Sequence, residues 1–199
     1  SSDLFVYDSK KAGAQTISHL RFGPDPINSN YLIDKADFIA SHKFNFIEKF
    51  NMIADLKHGG TFLLNSPYST AEIWDRLPIQ IQEGIIEKQV KFYVIDATRV
   101  AQEASLGKRA NTILQTCFFA ISGILPKDEA IQKIKDAIVK SYSHKGEKVV
   151  KMNFNAVDKA LENLHQVDYP KVASSEKQLA SAMKNAPDGF VTEVLEKIL

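Results

Sequence analysis

The chain is poor in the residues that build covalent or metal-bound frameworks: its 199 residues include one cysteine, Cys117. A lone thiol makes no internal disulfide, and it falls short of the roughly four thiolates that hold an iron–sulfur cluster. Its neighbours Thr116, Phe118 and Phe119 supply neither a cation nor a histidine to stabilise a thiolate, so Cys117 reads as a small buried hydrophobe. An excess of charge of one sign is also lacking. Twenty-five Lys and Arg face 24 Asp and Glu, a net charge of +1, whereas a dedicated nucleic-acid binder needs a basic excess on one face. No apolar run approaches the roughly 20 residues that span a bilayer, and no charged-then-apolar leader opens the sequence. The composition reads as that of a soluble, cytoplasmic protein, with no nucleic acid and no membrane among its partners. Neither a GxGxxG turn nor a phosphate-binding P-loop occurs, and there is no internal repeat or low-complexity segment.

What is present alternates between strand-like and helix-like patterns. Leu4 to Asp8 and Thr16 to Phe22 read as strands on either side of the polar turn Ser9-Lys10-Lys11-Ala12-Gly13, and Gly23-Pro24 stops the second. Ala36 to His42 has strand length. Phe46, Ile47, Phe50, Ile53 and Ala54 recur at helical spacing, with Gly59-Gly60 as the stop and Thr61 to Asn65 as the next buried strand. Ser69 or Thr70 caps a helix with Glu72 in its first turn and Trp74 and Leu77 facing inward. Pro78 interrupts that helix before Ile81, Ile85 and Ile86 resume its apolar face. Val90 to Asp96 is the strongest strand. Helices follow over Thr98–Ala104, Ala110–Leu125 and Asp128–Tyr142; Lys145-Gly146-Glu147 turns the chain into Val149–Asn153, and Ala156–Leu164 forms the last amphipathic helix. Such alternation predicts an α/β fold, an open, mostly parallel, Rossmann-like sheet flanked by helices. From Gln166 onward, a Ser/Lys/Ala-rich stretch reads as a connector, ending in an apolar stripe of Phe190, Val191, Val194, Leu195 and Ile198.

Ligands of open α/β sheets sit beyond the carboxyl ends of the strands. Those ends carry Asp8-Ser9-Lys10-Lys11, His42, Asn65-Ser66 and Asp96-Ala97-Thr98: hydroxyls, amides and two adjacent cations, with no nucleophile–base pair. Lys10 and Lys11 suit a phosphate-rich ligand as point charges, and Arg109 near a helix start adds a possible bidentate contact. The lysines serve equally well as a solvated turn. Asn65 and Asn111 can bond an amide or a ribose, or can serve as turn and cap residues. His19 on an alternating strand reads as structural. His42 and His58 lack carboxylate or cysteine partners at metal-site spacing, so no metal site is expected.

The strings YDSKKAG and TISHLRFGP, with GGTFLLNSP (Gly59–Pro67), KFYVIDA (Lys91–Ala97) and GKRANTILQTCFF (Gly107–Phe119), are long and unusual. Over about Leu4 to Val167 the chain resembles pyruvate:ferredoxin (flavodoxin) oxidoreductases, and within them the domain equivalent to the gamma subunit of multi-subunit 2-oxoacid oxidoreductases. The resemblance implies an enzyme that oxidatively decarboxylates pyruvate with coenzyme A, giving acetyl-CoA and CO2 and passing electrons to ferredoxin or flavodoxin. It places thiamine diphosphate with its magnesium and three [4Fe-4S] clusters in other domains of a homodimeric parent. It assigns residues 1–165 to a gamma-type, coenzyme A-handling domain that begins after its first strand and glycine-rich loop, and 166–199 to a connector leading to the next domain. Coenzyme A carries several phosphates, so Ser9, Lys10, Lys11, Arg109 and Asn111 are the coenzyme A-binding candidates; no residue is expected to be catalytic. One departure is Ala14, which stands where the family has glycine. The competing expectation is a structural module that packs against neighbouring domains and a dimer partner with no ligand of its own. An independent nucleotide-binding protein is disfavoured by the missing glycine loop.

Overall fold

Two β-sheets are present in the computed structural model, which describes residues 4–8, 17–21, 34–107 and 109–180, the first two segments as backbone. The chain divides into two units near residue 36. In the first, β1 (Leu4–Asp8) and β2 (Ile17–Arg21) pair antiparallel, with Leu4 opposite Arg21, Val6 opposite His19 and Asp8 opposite Ile17. Both strands read in this stretch are therefore present. Its turn residues, including Ser9, Lys10 and Lys11, lie outside the described residues.

The second unit is built on a sheet of order β3-β4-β5-β6, formed by Ala36–Ser41, Leu56–Asn65, Lys91–Ile95 and His165–Gln166. β4 and β5 run parallel, with Thr61 opposite Lys91 and Asn65 opposite Ile95. The connection between them holds two helices, as a parallel crossover requires. β6 joins antiparallel, with Tyr93 opposite Gln166 and Val94 opposite His165, so the sheet is mixed.

Side chains of successive strand residues point to opposite faces, and each face has its own core. Phe62 and Leu64 of β4 join Phe92 and Val94 of β5 on one side, under α1 (Thr70–Arg76) and α2 (Ile79–Glu87). Leu63 and Ile95 point the other way, into a core closed by α3 (Ala97–Glu103), α4 (Ala110–Ile121) and α6 (Glu147–Glu162). Between the last two in sequence comes α5 (Lys127–Tyr142), which buries Ala130 and Ile138. Helices thus cover both faces of an open sheet, which is the predicted α/β arrangement.

Local signals explain several boundaries. Glu72 accepts hydrogen bonds from the Ser69 hydroxyl (2.7 Å) and backbone N–H (3.2 Å) at the start of α1, the pattern of a capping box. The hydroxyl contact first, and the backbone contact next, hold its carboxyl below the usual carboxylate range. Pro78 occupies the N-cap of α2, where its missing N–H costs nothing.

Two expectations need correction. The apolar spacing from Phe46 to Ala54 does not form an α-helix; it forms 3-10 turns at Phe44–Phe46 and Met52–Asp55, and Gly59-Gly60 fall inside β4. The Lys88 ammonium holds the second turn from outside, donating to the oxygens of Ile53 (2.7 Å), Ala54 (2.8 Å) and Leu56 (2.9 Å). The apolar positions still marked burial, since Ile47 and Ile53 are fully enclosed. Further on, Val149–Asn153 is no separate element but the first half of α6. Gly146, at φ +94°, makes the turn that precedes it, and Asn153, Ala156, Val157 and Ala160 continue one buried helical stripe.

The stretch after Gln166 has the irregular backbone expected of a connector, yet it is tied to the body as far as Ala180. Val167 N–H donates to Phe92 O (2.8 Å), and Ile79 N–H donates to Lys177 O (2.7 Å). The Tyr169 ring stacks on Trp74 with centroids 5.3 Å apart, and its hydroxyl donates to Val90 O (2.9 Å). The buried amide of Gln82 accepts from the N–H groups of Ser174 (2.8 Å) and Ser175 (2.9 Å) while donating to Trp74 O (2.7 Å). The apolar stripe at Phe190 to Ile198 lies outside the described residues.

Candidate functional site

Three adjacent strands deliver their carboxyl ends to one shallow cleft of about 570 Å³. β3 hands over to His42, Lys43, Phe44 and Asn45 on one rim; Asn65 and Pro67 after β4 form the floor; Asp96, Thr98, Arg99 and Gln102, at the exit of β5 and along α3, form the other rim. This is where an open sheet places its ligand, and the strand-end residues His42, Asn65, Asp96 and Thr98 are brought together as their positions predict.

Several of these groups are already committed. The Asn65 amide donates to His42 O (2.9 Å) and accepts from Ala97 N–H (2.9 Å), pinning the end of β3 to the start of α3. Ser66 is buried and its hydroxyl accepts from Tyr68 N–H (3.1 Å). Asp96 caps α3 by accepting from Arg99 N–H (2.9 Å). The Arg99 guanidinium spans Glu103 Oε1 (2.9 Å) and Asn163 Oδ1 (3.1 Å), with Asp96 Oδ2 at 3.8 Å. Others are uncommitted: the side chains of Lys43, Asn45, Thr98 and Gln102 make no hydrogen bond or ion pair among the described residues. Burial of the His42 ring lowers its pKa from the usual histidine value, which leaves it neutral at pH 7.

The other predicted site residues lie elsewhere. Ser9, Lys10 and Lys11 are outside the described residues. Arg109 is the N-cap of α4, exposed, with its Nε donating to Leu106 O (3.3 Å). Asn111 is exposed in the first turn of the same helix. Arg109 and Asn111 thus sit together, but neither lines the cleft. Sequence reasoning missed Phe44, Asn45, Arg99 and Gln102. Phe44, Asn45 and Arg99 lie within about one helical turn of a correctly identified strand end and Gln102 within two, so reading two turns past each strand would have found them.

Cys117 is buried and free, and burial pushes its thiol up to about 12, in keeping with a packing role. No cluster of three or more His, Cys, Asp or Glu among the described residues is arranged to hold a metal ion, and no helix among them is long and apolar enough to cross a membrane.

Known proteins resemble the chain at two levels. The family described as pyruvate ferredoxin/flavodoxin oxidoreductase matches residues 2–163. The pyruvate-flavodoxin oxidoreductase of Rhodospirillum rubrum is 51% identical over 195 residues, covering 98% of this chain and 16% of that protein. The chain therefore spans about a sixth of the length of the relatives it matches. Among solved structures, the pyruvate oxidoreductase subunit PORC of Thermotoga maritima aligns over 84% of this chain and 81% of its own, with a TM-score of 0.58 at 17% identity. The 2-oxoglutarate:ferredoxin oxidoreductase of Magnetococcus marinus, solved with 2-oxoglutarate, coenzyme A and succinyl-CoA bound, aligns over 89% of this chain and 28% of its own, with a TM-score of 0.56 at 17% identity. At that identity the two structures establish the fold.

Proposed function

The chain belongs to the pyruvate ferredoxin/flavodoxin oxidoreductase family, and we propose that it serves as the gamma-type, coenzyme A-handling part of a pyruvate:ferredoxin (flavodoxin) oxidoreductase. In this reading the parent enzyme decarboxylates pyruvate oxidatively, transfers the acetyl group to coenzyme A and passes electrons to ferredoxin or flavodoxin. The parent is a homodimer, and this chain contributes ligand binding and domain packing. Residues 1–165 make up that domain and 166–199 lead toward the next.

Thiamine diphosphate with magnesium and the [4Fe-4S] clusters belong to other parts of the polypeptide in this reading. The residues of this chain do not fit them: one buried cysteine cannot supply the four thiolates of a cluster.

The observation that carries the coenzyme A assignment is the sequence at the end of β1. Its last residue, Asp8, is followed at once by Ser9, Lys10 and Lys11, a hydroxyl and two ammonium groups in succession, which offer a phosphate-rich ligand opposite charge. Arg109 and Asn111 on α4 are further candidates. The coenzyme A bound to the Magnetococcus marinus enzyme, which shares this fold, supports the same assignment.

Titration calorimetry on the full-length polypeptide with coenzyme A and dephospho-coenzyme A tests it. Replacing Lys10 and Lys11 with alanine weakens coenzyme A binding by about tenfold per lysine, the size of one lost charge-assisted hydrogen bond. Binding that ignores both substitutions and the 3′-phosphate counts against the assignment.

A second reading, a packing module without a ligand, draws support from the internal consumption of Asn65, Asp96 and Arg99. Under it the lysines make interdomain ion pairs. Their replacement would then loosen domain association and leave coenzyme A affinity unchanged.

A further inference from the structure

We propose that the strand-end cleft seats the adenosine portion of coenzyme A, with the purine stacked against Phe44 and the neutral polar groups around it bonding the base edge and ribose. This rests on the coenzyme A reading and says which chemical part of that ligand the cleft accepts.

The aromatic wall comes first. Phe44 is half-buried and packs on the core beneath the sheet. Its ring stands edge-on to Tyr68, with centroids 5.1 Å apart and planes at 75°. Tyr68 in turn lies under the Arg76 guanidinium, 4.9 Å from its centroid. The ring orientation is thus fixed by packing before any ligand arrives, which spares the ordering cost of building a stacking surface on demand. Every base has a π-face, so such a wall suits a nucleobase.

The polar groups point to the same ligand. The side chains of Asn45, Thr98 and Gln102 have no hydrogen-bond partners among the described residues, and all three residues line the cleft. Carboxamides pair naturally with the donor–acceptor edge of adenine, and a hydroxyl pairs with ribose. The cleft is electrostatically quiet: Arg99 is spent on Glu103 and Asn163, and the charges of Lys43 and Asp96, which line the same space, are of opposite sign. A polyphosphate would find little net positive charge there, whereas a neutral heterocycle with a ribose meets no charge penalty. A volume of about 570 Å³ lies within the range of small-molecule sites.

The test measures binding of three probes to the full-length polypeptide: coenzyme A, adenosine 3′,5′-bisphosphate and phosphopantetheine. Phe44→Leu keeps an apolar side chain against Tyr68 but removes the π-face. It is expected to weaken coenzyme A and adenosine 3′,5′-bisphosphate by the same factor, about tenfold, and to leave phosphopantetheine unchanged. Asn45→Ala, at an exposed position whose folding risk is small, shifts the same two probes in the same direction. Should Phe44→Leu disturb the fold, Asn45→Ala together with Thr98→Val carries the comparison.

Unchanged affinity for coenzyme A in these variants overturns the proposal, as does an equal loss for phosphopantetheine. The failure of the underlying reading looks different. If the wild-type polypeptide binds none of the three probes, both ideas fall. If Lys10→Ala/Lys11→Ala leaves coenzyme A untouched while Phe44→Leu weakens it, the cleft assignment stands and the lysine assignment goes.

Discussion

Gln82 makes the sharpest claim about what holds this unit together. Its side chain is fully buried, and its amide serves three backbone groups: it donates to Trp74 O and accepts from the N–H groups of Ser174 and Ser175. Replacement by Met preserves length and apolar volume and removes only the polar function. Three groups then lose a partner, but not equally. Ser174 is exposed and its N–H is rehydrated. Trp74 O keeps the Leu77 N–H at 3.2 Å and loses about 1 kcal/mol, the net worth of an ordinary hydrogen bond. Ser175 is buried, and its orphaned N–H costs about 1–3 kcal/mol. The sum is about 2–4 kcal/mol, a large part of the roughly 5–15 kcal/mol that stabilises a typical domain. Urea denaturation at constant m-value measures it, with the Trp74 fluorescence as the probe. Because Trp74 is the only tryptophan and stacks on Tyr169, its emission also reports whether the 167–180 segment stays docked. Limited trypsin digestion at Lys171 and Lys177 should accelerate in parallel. A Gln82→Met protein within about 0.5 kcal/mol of wild type, the range of ordinary surface substitutions, with unchanged cleavage, would refute the reasoning.

Lys88→Met should cost about 2 kcal/mol by urea denaturation, since three carbonyls lose a charged donor. Lys88→Arg should fail to restore it, because a planar fork does not match three oxygens converging on one point. Cys117 should resist thiol reagents in the native protein at pH 8 and react once on denaturation, because at a pKa of about 12 its thiolate fraction is about one in ten thousand. The same shift makes stability fall as pH rises from about 9 toward 12, where the unfolded thiol has lost its proton and the folded one keeps it. Cys117→Ala should flatten that limb of the pH profile.

What was legible in the sequence depended on how far apart the interacting residues stand. The Ser69–Glu72 cap, the Pro78 break and the apolar, β-branched and aromatic run of β5 are local, and each fell where the sequence placed it. The 3-10 turns around Met52 were misread because their geometry is held by Lys88, more than thirty residues later. The docking of the connector was invisible for the same reason, as Gln82 and its serine partners stand 92 and 93 residues apart. A Ser/Lys/Ala-rich composition records that a segment has no periodic apolar face; it carries nothing about a single buried amide that takes two of its N–H groups.

The candidate site shows a second limit, one of chemistry rather than distance. Residue type and strand-end position left Asn65 open as a ligand contact or a turn and cap residue, and the structure puts it in the cleft but spends both ends of its amide on backbone. Asn45, which no strand-end rule selects, keeps its amide free in the same space. Buried polar groups near a strand terminus are the ones the fold needs first, because an unpaired backbone N–H or C=O there is costly. The groups left for a ligand are therefore found one turn outward, on residues the fold can do without. By that logic Asn65→Ala should disturb stability and binding together, through the β3 and α3 ends it joins, whereas Asn45→Ala should alter binding alone. Parallel urea and probe-affinity measurements on the two variants separate the roles, and equal stability losses in both would contradict the division.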